Sequence, residues 1–163
     1  MTHKSLYLFG AALIALVSGC NDTCTENKNA LPLAGFYVSD GVSEQSTSVD
    51  SLKVWGAGAP GDSILSSARE TKTELYLPLR IDSDTTEYYF ERRAFGSFSQ
   101  SKVRFIYSRT PRFASVECGV SYLYGIEAIE CSGNLIDSIV CPSGFIDNTN
   151  SENLKIYLSW AAQ

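Results

Sequence analysis

Apolar and polar residues alternate along much of the chain beyond its N-terminal segment. The stretch TELYLPLRI, residues 73–81, has an aliphatic side chain at every second position. The same period of two recurs in KVRFIYSR (102–109), VSYLY (120–124) and LKIYLSW (154–160). Successive side chains of a strand point to opposite faces, so this period predicts strands with one buried face. Because Pro78 cannot donate a ladder hydrogen bond, we expect its strand to lie at a sheet edge or to carry a bulge.

Turn-forming stretches separate the predicted strands, and none of the sequence after residue 30 has the period of an amphipathic helix. Short strands at intervals of about 10–15 residues indicate an all-β fold. We predict an antiparallel β-sandwich of the Ig-like or jelly-roll-like type, with a small β-barrel as the alternative. The turn stretches include SDG (39–41), GAGAPGD (56–62), DSD (82–84), FGS (95–97) and SGN (132–134).

The N-terminus has the composition of a secretory signal peptide. His3 and Lys4 form a positive head, residues 6–17 are almost wholly apolar, and two small residues follow them. A helix of that apolar run would span about 18 Å, which is short of the roughly 30 Å hydrocarbon core of a bilayer. We therefore expect a cleaved signal, residues 1–19, rather than a transmembrane anchor.

The sequence Val17-Ser18-Gly19-Cys20 closes this segment and resembles the lipobox of bacterial lipoproteins. The resemblance implies cleavage after Gly19 and a diacylglyceryl thioether on Cys20, so the membrane would be a partner through an N-terminal lipid. It implies location in the cell envelope, as an outer-membrane lipoprotein on either face. The alternative is an ordinary signal peptidase site that leaves Cys20 as a thiol. The predicted parts are a signal peptide (1–19), a lipidated tether (20–30) and a single β domain (31–163).

The number of cysteines favours lipidation. The chain has five cysteines, and one would lack a partner in an oxidising compartment unless lipid consumes Cys20. The other four allow three pairings, which sequence alone does not distinguish. We favour a disulfide between Cys24 and Cys118, which would pin the tether onto the sheet, and another between Cys131 and Cys141. The SGN turn is not centred between the second pair, so a simple hairpin would not place them opposite each other.

The composition also excludes several kinds of chemistry. Removal of the signal takes away His3, the only histidine. The mature protein would then have no histidine to activate a nucleophile, to act as a general base or to bind a metal. The formal net charge of −5 is opposite in sign to that of a nucleic-acid binder. We predict a protein that is not an enzyme and has no cofactor, metal or nucleic-acid partner. A hydrolase that uses carboxylates stays open as the enzymatic alternative.

Basic residues outnumber acidic ones between Arg80 and Arg112. One interpretation is a basic face for an acidic protein, a glycan or an anionic headgroup. The other, which we favour, is that these residues form cross-strand ion pairs on solvated strands. The basic residues of this segment are Arg80, Arg92, Arg93, Lys102, Arg104, Arg109 and Arg112.

Acidic and aromatic clusters suggest two weaker hypotheses. The stretches DSDTTE (82–87) and DNTNSE (147–152) carry oxygen ligands for calcium, but neither has the glycine and distal glutamate of an EF-hand loop, so we interpret both as turns. Six aromatic residues offer the components of a glycan platform, although aromatic residues in strands more commonly form core and cross-strand pairs. These residues are Trp55, Tyr88, Tyr89, Phe90, Tyr122 and Tyr124.

Several of these features follow one another in a recognisable order. Cys24 follows the lipobox closely, and LAGFYV, SVDSLKVWGAG, ELYLPLR and KVRFIYSRTPRFASVECG come after it, the last ending in Cys-Gly. This order resembles a family of small uncharacterised lipoproteins, a domain of unknown function, found in Bacteroidota. The resemblance covers most of residues 20–125. It implies an all-β lipoprotein without a known activity, and it implies pairing of Cys24 with Cys118.

The same lineage implies a modification. Its periplasmic O-glycosylation follows a pattern similar to Asp-Ser/Thr followed by an aliphatic residue or threonine, and four positions of the chain match that pattern. Asp-Ser also commonly starts strands after turns, so both interpretations stay open. The acceptors would be Ser51, Ser63, Thr85 and Ser138.

The predicted function is that of a lipid-anchored, non-catalytic binding or accessory module of the envelope that works through protein or glycan contact. An exposed strand edge is one means by which such a module recruits a partner. The alternative is a lipocalin-like carrier of a small apolar ligand. LAGFY, residues 33–37, faintly resembles the lipocalin first-strand motif, with Phe36 in place of the tryptophan.

Overall fold

The structure, a computed structural model, describes residues 30–58, 64–67, 70–94, 96–115 and 119–159. Within these ranges the chain is folded into β-strands and turns, and no described segment is a helix long and apolar enough to cross a bilayer. The strands are β1 (Leu33–Ser39), β2 (Glu44–Ser46), β3 (Leu52–Gly56), β4 (Ile64–Ser66), β5 (Glu74–Tyr76), β6 (Thr85–Ala94), β7 (Ser97–Ser115), β8 (Gly119–Gly133), β9 (Ile136–Val140), β10 (Phe145–Ile146) and β11 (Glu152–Leu158).

The strands form two sheets that do not close into a barrel. The smaller sheet has the order β2-β1-β11-β9, with β5 also paired to β1, and the larger has the order β10-β8-β7-β6-β3-β4. The predicted β-sandwich is therefore confirmed, and the alternative of a small β-barrel is wrong. One pair departs from the predicted antiparallel arrangement, because β1 and β11 run parallel. The N-terminal strand thus lies beside the C-terminal one.

The core lies between the two sheets and follows the predicted alternation. Phe36 and Ile156 from the smaller sheet belong to the same buried cluster as Val54, Phe90 and Phe105 from the larger one. In these strands most side chains that point inward are apolar, with Thr86 on β6 and Ser101 on β7 as buried polar exceptions, and most of those between them are at least partly exposed. Burial of such apolar surface stabilises the fold by roughly 25 cal/mol per Å² removed from water.

The predicted strand at 73–81 is shorter than its pattern suggests. Only β5 pairs with a neighbour, and residues 77–80 then cross from the smaller sheet to the larger one. Pro78 lies in this crossing segment, where a missing amide donor disturbs no ladder. Ile81 was expected to be buried but is 49% exposed, because the chain turns at this point and Arg80 forms an ion pair with Asp82.

Three buried tyrosines supply the hydrogen bonds that the crossing segment would otherwise lack. The hydroxyls of Tyr88, Tyr124 and Tyr107 donate to the carbonyls of Pro78, Leu79 and Arg80, in that order. These tyrosines lie on the neighbouring strands β6, β8 and β7 of the larger sheet. Buried carbonyls without a partner are costly, so this tyrosine clamp allows the chain to pass between the sheets.

The middle of the clamp is a closed ring of hydrogen bonds. The Arg80 amide donates to Thr86 Oγ1 at 2.9 Å, and Tyr107 Oη donates to the Arg80 carbonyl at 2.8 Å. Thr86 Oγ1 lies 2.7 Å from Tyr107 Oη and donates to it, because the tyrosine proton is already used. Burial raises the pKa of the hydroxyl groups of Tyr88, Tyr107 and Tyr124. The neutral hydroxyl is therefore the form that the fold retains.

The strands β7 and β8 extend beyond the other strands as a two-stranded hairpin. Strand β6 pairs with β7 as far as Ile106, and β10 pairs with β8 at Tyr124 and Gly125. Residues 110–115 and 119–123, which we call the hairpin arm, pair only with each other among the described strands. The amide of Ala30 donates to the carbonyl of Tyr122 at 3.1 Å. The start of the described chain is therefore attached to the hairpin arm.

Replacement of Tyr107 by Phe should lower the free energy of unfolding by about 1–3 kcal/mol, because a buried carbonyl and a buried hydroxyl both lose their partner. Urea unfolding at neutral pH measures this change. The matched control is Tyr89→Phe, whose half-exposed side chain lies on the outer face of β6 and should change stability by less than about 0.5 kcal/mol. Equal losses in the two variants would contradict the role of the clamp.

The stability of the protein should fall as the pH rises above about 10, the pKa of an unperturbed tyrosine. The unfolded chain then releases tyrosine protons that the folded state retains on Tyr88, so unfolding becomes more favourable. Below that pH the contribution is fully present. Urea unfolding at a series of alkaline pH values should show a shallower decline for Tyr88→Phe than for the parent protein. An identical slope in both proteins would be inconsistent with this assignment.

Candidate functional site

The outer face of the larger sheet displays an aromatic–lysine row, formed by Lys53, Trp55, Tyr89 and Lys102. Trp55 on β3 is paired with Tyr89 on β6, which is paired with Lys102 on β7. The two rings stack at a centroid distance of 5.4 Å and an angle of 21°. Lys53 Nζ lies 4.8 Å from the centre of the Trp55 ring, and Lys102 Nζ lies 5.8 Å from that of Tyr89. The row combines large half-exposed rings with positive ends, a composition suited to polar partners that carry negative groups.

Carboxylates surround the basic residues of this face. Glu87 on β6 lies 3.0 Å from Lys102 Nζ and 3.8 Å from Arg104 Nε, and Arg104 also reaches Glu130 on β8 at 3.7 Å. These contacts join three adjacent strands. Such exposed pairs contribute modestly to stability, about 0–1 kcal/mol each.

The remaining arginines of the predicted basic segment are also engaged. The Arg109 guanidinium lies 2.7 Å from Asp84, and that of Arg92 lies 2.5 Å from Asp50. The hydrogen bond from Arg92 lowers the pKa of the Asp50 carboxyl. Arg112 Nη1 lies 3.5 Å from the amide oxygen of Asn148. The segment thus forms the ion pairs expected of solvated strands rather than a uniformly basic face.

A groove of ≈ 580 Å³ opens beside the row, where the turn after β3 faces the crossing segment. Its walls mix apolar and charged side chains, and no Asp or Glu in the described part of the chain is buried. The groove is open to solvent on one side, and its lining reaches the buried side chains of Thr86 and Tyr88. Its lining includes Ala57, Leu65, Pro78, Arg80, Asp82, Thr85 and Glu87.

The outer face of the smaller sheet carries a second polar cluster. Tyr37 Oη donates to the carboxylate of Glu152, at 2.8 and 3.0 Å from its two oxygens. Glu44 accepts hydrogen bonds from Lys155 and from Tyr157 Oη, the latter at 2.5 Å. These bonds lower the pKa of Glu44, chiefly through Lys155, while the bond to Glu152 raises that of Tyr37. Lys155 neutralises Glu44, and the two tyrosine hydroxyls donate to the two carboxylates, so the cluster joins β1, β2 and β11.

The predicted lipidation and disulfide residues have different outcomes. Cys20, Cys24 and Cys118 lie outside the described residues, so the first predicted disulfide stays a prediction. Cys131 and Cys141 are free thiols in the structure, and the predicted bond between them is not formed there. Cys131 points towards the core opposite Val103, and burial raises its thiol pKa. Cys141, which is also partly buried against the core, lies in the turn after β9, with its sulfur 3.9 Å from the Ser143 hydroxyl.

Three of the four predicted glycosylation residues are described, and Ser63 is not. Ser51 precedes β3 with a φ of 56°, Thr85 begins β6, and Ser138 lies on the edge strand β9. Two of the motif aspartates form ion pairs with arginines, as described above. Ser51 and Thr85 lie where strands start after turns, which fits the structural interpretation of the motif. The structure does not test the modification itself.

Alternate positions along a strand decide which of the aromatic residues are buried and which face outward. Tyr88, Phe90 and Tyr124 are buried, whereas Trp55 and Tyr89 face outward. Tyr88 and Phe90 occupy alternate positions of β6, and Tyr89 lies between them. Period-two counting alone therefore predicts an outward Tyr89, and the same count from buried Val54 predicts an outward Trp55. The interpretation of all six aromatic residues as core residues was wrong for Trp55 and Tyr89, because it did not apply this alternation.

The acidic stretches proposed for calcium are occupied by protein contacts. Asp82 and Asp84 pair with arginines, and Asp147 accepts a hydrogen bond from the Thr149 amide at 3.0 Å. Among the described residues, no three Asp, Glu, Cys or His side chains group as metal ligands would.

Comparison with known proteins identifies the family but not an activity. The family of unknown function DUF6452 matches residues 51–158, which span β3 to β11. No curated protein and no solved structure matches the chain. The match confirms the expectation of an uncharacterised domain family and covers the larger sheet together with β5, β9 and β11 of the smaller one, whereas β1 and β2 precede it. The chain therefore belongs to the DUF6452 family, a family of unknown function.

Proposed function

We propose that this protein is an exported lipoprotein, acylated on Cys20, whose β-sandwich is a non-catalytic binding or accessory module of the outer membrane. The proposed binding role is supported chiefly by the aromatic–lysine row. Its two rings face outward from a sheet whose core already contains large aromatic residues, so they are not needed to fill the interior. Tryptophan and tyrosine on such a face are the residues that most commonly dominate binding energy at interfaces. The partner would be a protein or glycan that carries negative groups.

The N-terminal sequence supports the anchor. The apolar run and Val17-Ser18-Gly19-Cys20 have the order that export and lipidation require. The tether would then run from Cys20 to Ala30, which is hydrogen-bonded to the hairpin arm. Two or three acyl chains on one cysteine bind a bilayer stably, whereas one chain does so only marginally.

The attachment of Ala30 also supports the proposed disulfide between Cys24 and Cys118. Cys118 lies four residues before Tyr122, the residue that Ala30 contacts. Cys24 lies six residues before Ala30, so the intervening chain spans at most about 20 Å. The chain lengths from Ala30 back to Cys24 and from Tyr122 back to Cys118 therefore permit this bond. A bond there would fasten the tether to the domain.

The lipocalin-like carrier has no comparable support. A carrier of that kind encloses its ligand in a closed barrel, whereas the two sheets here pack over a filled core. We do not propose it further. O-glycosylation of Ser51, Ser63, Thr85 and Ser138 remains a prediction, for which mass spectrometry of the mature protein is the measurement.

Metabolic labelling with palmitate tests the anchor. Wild-type protein should take up label and fractionate with membranes, whereas Cys20→Ser should take up none, because the thioether cannot form. Cys141→Ser is the matched control, since it also removes one thiol but should keep the label. Equal labelling of wild type and Cys20→Ser would refute lipidation at this residue.

Cross-linking in intact cells tests the binding face. The double variant Trp55→Ala/Tyr89→Ala should lose cross-linked neighbours, because a pair of aromatic anchors typically accounts for at least about 2 kcal/mol of binding free energy. The control is Tyr37→Ala/Tyr157→Ala on the opposite face, which should retain them. Thermal unfolding verifies that both variants fold. Retention of all neighbours by the first variant, or their loss only from the second, would exclude the row as the binding face.

A further inference from the structure

The end of the hairpin arm exposes an apolar pair. The side chains of Phe113 on β7 and Val120 on β8 are 66% and 50% exposed. The two residues are directly opposite in the ladder, and side chains of directly opposed residues lie on the same face of a sheet. Neither residue contributes to the core between the two sheets. The fold therefore leaves two large apolar side chains exposed to water near the end of the hairpin arm.

The N-terminal tether begins at this same end of the molecule. Ala30 is hydrogen-bonded to Tyr122, which is two residues from Val120. Ten chain steps separate Cys20 from Ala30, and they span at most about 36 Å when fully extended. A lipid on Cys20 would therefore keep Ala30, and the part of the hairpin arm bonded to it, within about 36 Å of the bilayer.

We propose that the end of the hairpin arm enters the interface of the bilayer that holds the N-terminal lipid. The exposed side chains of Phe113 and Val120 would lie at the boundary between the headgroups and the acyl chains of that bilayer. This inference rests on the proposed lipid anchor. Apolar side chains that are unfavourable in water are stabilised at that boundary, where aromatic residues are especially common. The protein would then contact the membrane at two points, through the lipid and through the arm.

Charge at the end of the arm neither drives nor opposes this contact. Arg112, next to Phe113, carries a positive charge, and the sequence has one acidic residue, Glu117, four positions after Phe113. Arg109, farther from the end, is paired with Asp84. The contact would therefore depend on apolar burial more than on headgroup charge. It should occur with zwitterionic and anionic lipids alike.

Two contacts would fix the orientation of the sandwich. The opposite end of β7 carries Phe98, which is 53% exposed and lies 5.0 Å beneath the Arg93 guanidinium. Phe98 and Phe113 are fifteen positions apart on one strand, which corresponds to about 50 Å. With the arm at the bilayer, the Phe98 end would point away from it. The aromatic–lysine row would then stand clear of the lipid and be open to partners.

Quenching of tryptophan fluorescence by brominated lipid tests this arrangement. The acylated full-length mature protein is reconstituted into vesicles of brominated phosphatidylcholine, with and without added phosphatidylglycerol. Phe113→Trp adds a reporter at the end of the arm, and Phe98→Trp adds one to an equally aromatic, arginine-flanked site on the same strand. The spectrum of the parent protein is subtracted to remove the signal of its own tryptophans. Both changes replace one exposed aromatic ring by another, so both variants should fold.

In both kinds of vesicle, we expect the added tryptophan of Phe113→Trp to lose most of its emission and to shift to shorter wavelength, and that of Phe98→Trp to do neither. Absence of quenching at position 113 in vesicle-bound, acylated protein would overturn the arm contact while the lipid anchor stands. Equal quenching at both positions would also overturn it, since the molecule would then lie flat. Quenching only with phosphatidylglycerol would overturn the apolar basis of the contact. Failure of the lipid anchor itself would be recognised separately, by absent acylation.

Discussion

The passage of the chain between its two sheets depends on the tyrosine clamp. Residues 77–80 leave β5 without entering another strand, so their carbonyls have no ladder partner, although Leu77 and Leu79 are buried in the core. Three hydroxyls from adjacent strands of the larger sheet reach those carbonyls, and the Leu77 amide donates to the Pro32 carbonyl at 2.9 Å. Residues 77–80 are therefore hydrogen-bonded mainly to the larger sheet after they leave the smaller one. Without these bonds, buried polar groups would oppose the packing that the apolar residues favour.

The clamp also determines which aromatic residues are available for other roles. Tyr88, Tyr107 and Tyr124 use both their rings and their hydroxyls in the interior, where the rings of Tyr107 and Tyr124 meet edge to face at 5.3 Å. The outward aromatic residues of the larger sheet carry no comparable structural task. Trp55 and Tyr89 stack on each other and are flanked by Lys53 and Lys102, of which Lys102 also pairs with Glu87. The row therefore presents exposed rings on a face whose charges are mostly paired.

The two ends of the sandwich differ in a way that suits an anchored protein. At one end the hairpin arm meets the start of the described chain, and at the other the turn between β6 and β7 extends away from it. Because antiparallel strands place successive turns at opposite ends, a tether at the arm leaves the far end and both outer faces free. The proposed anchor and the proposed binding face thus occupy separate parts of one rigid scaffold.

Local patterns in the sequence predict a good part of this structure and of the candidate site. Val103, Phe105 and Tyr107 are buried on β7 as their alternation indicates, and Asp40 makes the turn predicted for SDG by accepting hydrogen bonds from the amides of Val42 and Ser43. The outward positions of Trp55 and Tyr89 follow from the same parity. The sequence predicted that the arginines form ion pairs, but it did not predict which carboxylate each arginine contacts, because that depends on strand register.

The sequence by itself determined the all-β class, most of the turns and, in strands such as β6, β7 and β11, the side that faces the core, because alternation and turn chemistry act between residues close in the chain. The tertiary structure decided the parallel pairing of β1 with β11, which rests on contacts such as that between Leu33 and Asn153, 120 positions apart. It also decided that residues 77–80 would leave the sheet and that the chain start would meet the hairpin arm. No local pattern predicts those arrangements. Each of them forms only when segments distant in the chain pack against one another and pair their backbone hydrogen-bonding groups.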